Sequence, residues 1–138
     1  MLQQTPHQLL RGGCASPADC LLLVSARDPA TGAPLRPAAV RSLTLWAQAR
    51  LPPAVVTVTP LGGGAFSVAA DSVAPHTMLH AAEAGHFSEN NLLLLPGVPQ
   101  TTVWVPAPGG SAVPSGVYAV TINGGTPGVV GPGVAVAP

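Results

Sequence analysis

The stretch Gly85-His86-Phe87-Ser88-Glu89-Asn90-Asn91-Leu92-Leu93-Leu94-Leu95-Pro96-Gly97 decides how the chain is read. It opens on a glycine, carries one aromatic ring, passes through Ser88, Asn90 and Asn91, and runs four leucines into Pro-Gly. Serine and asparagine side chains hydrogen-bond nearby backbone and so replace ladder bonds where a chain bends. A run of four leucines is too short for most helices and fits a short strand covered on both faces. Pro96 presets φ at position i+1 of a turn, and Gly97 accepts the positive φ required at i+2. The stretch therefore predicts a corner, one buried strand and a reversal.

Outward from it, short β segments recur with turn signals between them. Ala54 to Thr59 alternates valine and threonine, and Gly62-Gly63-Gly64 makes a turn. Ala65 to Ala70 places Phe66, Val68 and Ala70 on one face. His76 to Ala82 places Met78, His80 and Ala82 opposite Thr77, Leu79 and Ala81. After the leucine strand at 92–95, Thr101 to Val105 sets Val103 and Val105 against Thr102 and Trp104. Val117 to Ile122 sets Val117, Ala119 and Thr121 against Tyr118, Val120 and Ile122. Such a series predicts an all-β sandwich. Leu51-Pro52-Pro53 breaks any ladder, because proline has no N–H to donate, and marks a domain boundary. Before it, 20–26 and 38–47 read as two strands of a hairpin joined by the turn residues of 28–34; Val40, Ser42, Thr44 and Trp46 would share one face. The expected organisation is a partial preceding β-domain over 1–50, a sandwich over 51–123 and a Gly/Pro-rich tail over 124–138, where Gly124-Gly125, Pro127 and Pro132 argue against a ladder.

Composition narrows the function classes. Only 7% of the residues are charged, against about 25% in an average domain. There is no lysine, and five arginines balance five carboxylates to a net charge of zero. Nucleic-acid binding needs a basic patch, and none is encoded. No run approaches the roughly 18 apolar residues of a membrane span. Met1 to Gly13 has no apolar core of a secretory signal. Cys14 and Cys20 fit a small-loop disulfide or two free thiols, and a pair of cysteines does not fix the compartment.

The opening stretch also resembles the G-x-F-S-D-N…L-L-P-G signature in the C-terminal immunoglobulin-like domain of β-mannosidases of glycoside hydrolase family 2. The match falls on Gly85, Phe87, Ser88, Asn90, Leu95, Pro96 and Gly97, with Glu89 in place of the aspartate. The Arg27-Asp28…Gly32 turn, the Pro-Pro break, the Phe66–Asp71 strand and the Met78–Ala81 strand follow in the family's order, so the resemblance covers about residues 20 to 122. It implies an immunoglobulin-like antiparallel β-sandwich preceded by a β-hairpin from a neighbouring sandwich domain. It further implies a parent glycosidase that removes terminal β-mannose from oligosaccharides, lysosomal, vacuolar or secreted if it follows the eukaryotic members. In that family the two catalytic carboxylates sit on a (β/α)₈ barrel, an architecture of about 250 residues for which this chain has no room.

Several residues invite chemistry. Glu83 and Glu89 are the only glutamates and flank a turn, so they read as loop carboxylates and not as a catalytic pair. His76, His80 and His86 suggest a metal site, yet residues i and i+4 of a strand lie roughly 13 Å apart, too far to share one zinc. Glu89, Asn90 and Asn91 offer oxygens to a sugar or to calcium, and backbone capping at the corner is the competing use. Trp46 and Trp104 would serve as sugar-stacking platforms or as packing residues, the latter favoured by their strand setting. Ser25, Ser42 and Ser67 lack the G-x-S-x-G context of a nucleophile, and Gly62-Gly63-Gly64 lacks the lysine of a phosphate loop. No catalytic, cofactor-binding or metal-ligating residue is assigned, and no cofactor is expected. The expected role is non-catalytic: an architectural domain packed on the other domains of a β-mannosidase-like hydrolase and inactive alone. A stand-alone carbohydrate-binding or adhesion module is the alternative.

Overall fold

The computed structural model describes residues 16–33, 35, 39–124, 129–131 and 134–135, the last two groups by backbone alone. The chain divides into two compact units, Met1–Leu51 and Pro52–Pro138.

In the first unit β1 (Leu21–Val24) pairs antiparallel with β2 (Ala39–Ser42), Leu21 opposite Ser42 and Val24 opposite Ala39. The second strand is shorter than the expected 38–47. It ends at Ser42, whose Oγ accepts from the Thr44 N–H, and Trp46–Gln48 then forms a 3-10 turn. Thr44 and Trp46 therefore do not extend the face of Val40 and Ser42. The partner strand β1 begins at Leu21, directly opposite Ser42, so the ladder has no further residue to pair there. Cys20 is buried and disulfide-bonded, which resolves that thiol's two readings; Cys14 lies outside the described residues. Arg50 closes the unit by donating from Nε and Nη2 to the two carboxylate oxygens of Asp19, each at 2.8 Å. That fork holds the Asp19 carboxyl below the usual carboxylate range, with a smaller contribution from the Ser16 hydroxyl.

The second unit is a two-layer antiparallel sandwich. One sheet has the order β3-β4-β8-β6, made of β3 (Val56–Gly62), β4 (Ala65–Ala70), β8 (Gln100–Pro106) and β6 (Gly85–Phe87). The other has the order β11-β10-β9-β5-β7, made of β5 (Ala74–His80), β7 (Leu92–Leu94), β9 (Val117–Val120), β10 (Val129–Gly131) and β11 (Val134–Ala135). One cluster of buried side chains joins them. Val56, Val58, Phe66, Val68, Phe87 and Trp104 come from the first sheet, and Ala74, Leu79, Leu92, Leu94, Val117 and Ala119 from the second. Alternation decides the faces, as a period of two requires. On β4 every second residue is buried, and on β5 Thr77 and Leu79 face in while Met78 and His80 face out.

The expected six segments are all strands, with boundaries shifted by a few residues. Three further strands were not expected. β6 pairs with β8 in the register Phe87 opposite Trp104, inside what reads in sequence as the approach to a corner. Within 124–138 the short strands β10 and β11 pair with each other, and β10 with β9, where composition predicts an unpaired tail. The Val129-Val130 and Val134-Ala135 pairs supply just enough β-forming chain between the glycines and prolines. The leucine strand is an edge strand rather than one covered on both faces: Leu92 and Leu94 are buried, Leu93 and Leu95 half-buried. The reversal after it is as expected, with Gly97 at φ 71° and the Val98 N–H donating to the Leu95 carbonyl at 3.1 Å.

Candidate functional site

The chain crosses from one sheet to the other between Phe87 and Leu92, and every polar residue of this crossing has a structural partner. The Ser88 N–H donates to the Val103 carbonyl, and Ser88 Oγ accepts from the Val103 N–H at 3.0 Å. The Thr102 hydroxyl donates to the Glu89 carbonyl at 2.8 Å and lies 3.1 Å from the Glu89 N–H. The Asn90 amide pairs with both backbone groups of Leu79: Oδ1 accepts from the N–H at 2.7 Å and Nδ2 donates to the carbonyl at 3.0 Å. That side chain behaves as one more residue of strand alongside β5. Asn91, at φ 98°, donates its N–H to the Thr77 carbonyl and sets Oδ1 2.8 Å from His76 Nδ1. These bonds answer the sugar and calcium reading of Glu89, Asn90 and Asn91: the asparagine oxygens are engaged by protein, and Glu89 contributes its main chain.

Beside the corner lies a cleft of about 230 Å³, lined chiefly by His80, Glu83, Gly85, His86, Asn90 and Trp104. Its floor is the Trp104 indole, 5% exposed, which donates from Nε1 to the Ser111 carbonyl at 3.0 Å. Phe87 packs edge-on against Trp104 with ring centres 5.2 Å apart, and Phe66 against Phe87 at 5.8 Å. Gly85 is required here, because a Cβ at that position would fall on the Trp104 ring. Trp104 is therefore a packing residue and not a sugar-stacking platform; Trp46 lies half-buried on its 3-10 turn.

The two glutamates sit in different settings. Both Glu83 carboxylate oxygens accept from Ser115, Oε2 from the backbone N–H at 2.7 Å and Oε1 from the hydroxyl at 2.5 Å. These two hydrogen bonds, the hydroxyl first, hold the Glu83 carboxyl below its ordinary value. A carboxylate so engaged is a poor general acid, since protonation would break the bonds that hold it. The histidines are likewise apart in role. His76 and His80 mark the outer face of β5, with His76 at φ 52° where the pairing with β7 shifts register, and His80 stacks on Tyr118 at 5.0 Å and 15°. His86 belongs to β6. Among the described residues no three metal-ligating side chains converge. Ser25 lies just past β1, Ser42 ends β2, and Ser67 sits in β4. The partnerships Glu83–Ser115 and His80–Tyr118 span 32 and 38 residues, and no local spacing announces them.

No curated protein matches the chain. A family profile described as the mannosidase Ig-fold domain matches residues 49–117, half of the chain, and takes in the corner, the leucine strand and the tryptophan floor. The chain thus belongs to the family of mannosidase immunoglobulin-fold domains.

Proposed function

We propose that this chain is a non-catalytic packing domain of a β-mannosidase-like glycoside hydrolase, and that it works by docking the outer face of its five-stranded sheet on the other domains of that enzyme. The observation that carries this reading is the composition of that face. Met78 and Val120 sit opposite each other on β5 and β9, each 44% exposed. The adjoining His80–Tyr118 pair continues the row, and Ile122, two residues beyond Val120, is 57% exposed. None of β5, β7 or β9 carries a carboxylate, a lysine or an arginine. Uncharged, contiguous apolar surface is what a protein-facing patch requires. Leu92 and Leu94 point into the core, so Leu93 is the residue of the leucine strand placed to join the docking face.

Two measurements on the full chain test the proposal. It should show no turnover of p-nitrophenyl-β-mannoside above the buffer rate, and real turnover would end the non-catalytic reading. Light scattering should show concentration-dependent self-association that falls in the Met78→Ser/Val120→Ser variant. Association unchanged by that double substitution would remove the docking face.

A further inference from the structure

The dipeptide Asn123-Gly124 sits at the end of β9 in an arrangement that the packing role does not use. The Asn123 side chain is half-buried. Its Nδ2 donates to the Pro52 carbonyl at 2.8 Å and to the Val73 carbonyl at 2.7 Å, and its Oδ1 lies 3.1 Å from the Thr121 hydroxyl. One amide thereby ties the chain at the start of the sandwich unit to the turn between β4 and β5 and to the end of β9. Gly124 bridges Ala54 beside it and donates its N–H to the Thr121 carbonyl at 3.1 Å.

Asparagine followed by glycine is the pairing most open to intramolecular deamidation, because the next residue has no side chain to hinder its own backbone nitrogen and its backbone is the freest to reorient. We propose that Asn123-Gly124 is a deamidation site held shut by the native fold, and that its conversion releases the Pro52 end of the sandwich. In the reaction the Gly124 backbone nitrogen, losing its proton, bonds to the Asn123 Cγ, and the Cγ–Nδ2 bond breaks to release ammonia. Water then opens the cyclic imide at either carbonyl, leaving aspartate or isoaspartate. In the folded chain the attacking nitrogen is bonded to Thr121 and the departing nitrogen to two carbonyls, so the imide forms only after this end opens. The product makes the opening lasting. A carboxylate has no N–H, so it would face the Pro52 and Val73 carbonyls as a third acceptor, leaving both without the donor they had. Isoaspartate adds a methylene to the backbone and shifts Gly124 against Ala54.

The test follows the mass of the peptide carrying Asn123 during incubation of the full chain at mildly alkaline pH, folded and in urea, beside a free Thr-Ile-Asn-Gly-Gly peptide. The expected result is conversion of amide to acid at Asn123 in urea at the rate of the free peptide, and slower by roughly ten-fold or more in the folded chain. Equal rates folded and in urea would overturn the clasp, and persistence of the amide in urea while the free peptide converts would overturn the site. These kinetics need no variant to fold. Separately, Asn123→Asp should lower the melting temperature of the full chain, and an unchanged melting temperature would overturn the proposed release.

Discussion

Two turns of this molecule use similar residues and do different work. The loop between β1 and β2 contains Asp28, Thr31 and Gly32; the corner between β6 and β7 contains Ser88, Asn90 and Asn91. Among the described residues of the loop the side-chain bonds are local. Asp28 Oδ1 accepts from the Ala30 and Thr31 N–H groups, and Arg27 donates to the Gly32 carbonyl. In the corner the bonds cross to other strands, reaching Leu79, Val103 and Thr77 over 11 to 15 residues. A local turn shapes its own segment. A corner whose side chains complete other strands' ladders holds two sheets in one register.

The comparison can be broken at its strongest point by removing the ring on which the corner rests. Trp104→Ala should cost about 3–5 kcal/mol of stability, read as a lower urea midpoint with an unchanged slope. A loss below about 1 kcal/mol would mean that the aromatic trio does not anchor the four-stranded sheet. Asn90→Ala leaves the buried Leu79 without two of its partners, and should cost about 2–4 kcal/mol. If water replaces those partners at little cost, the corner is no different in kind from the loop. Gly85→Ala drives a methyl group into the indole and should cost about 1–3 kcal/mol.

The smallest effects belong to the half-buried carboxylates Asp28 and Glu83, and they sharpen the contrast. Asp28→Ala should leave the unfolding midpoint of the sandwich where it was, since the Asp28 side-chain bonds stay within its own loop. Glu83 differs because its bonds reach Ser115. Its carboxyl is depressed in the folded state, so its contribution is complete above the ordinary glutamate value of about 4.3 and disappears as pH falls through the folded value. The urea midpoint should therefore fall with acid across that window, and Glu83→Gln should flatten the slope. An unchanged slope in the variant would show that the Ser115 contact does not persist in solution.

Much of the sandwich was legible in the chain. Alternation grouped Phe66, Val68 and Ala70 on one face and set Met78 and His80 opposite Thr77 and Leu79, because neighbouring residues of a strand must point oppositely; burial then decides which face is the core. The polar corner and the Pro96-Gly97 reversal were legible because their chemistry is carried by side chains and by one glycine's φ. Buried Thr102 and Thr77 were not, since a hydroxyl is tolerated inside only where a particular carbonyl waits for it. Trp46 was misplaced on a strand because an apolar pattern over 38–47 says nothing of where the partner strand begins, which is opposite Ser42.

Sequence by itself determined that this chain is all-β and how the residues of its strands divide between two faces, since both follow from period-two patterning. Only the tertiary structure decided that Gly85–Phe87 is a strand, that Val129–Gly131 joins a sheet, and that Asn90, Glu83 and Asn123 each bind backbone contributed by a distant segment. A three-residue strand has no periodicity to read, and a hydrogen bond between residues far apart in the chain exists only once both have been brought to the same place.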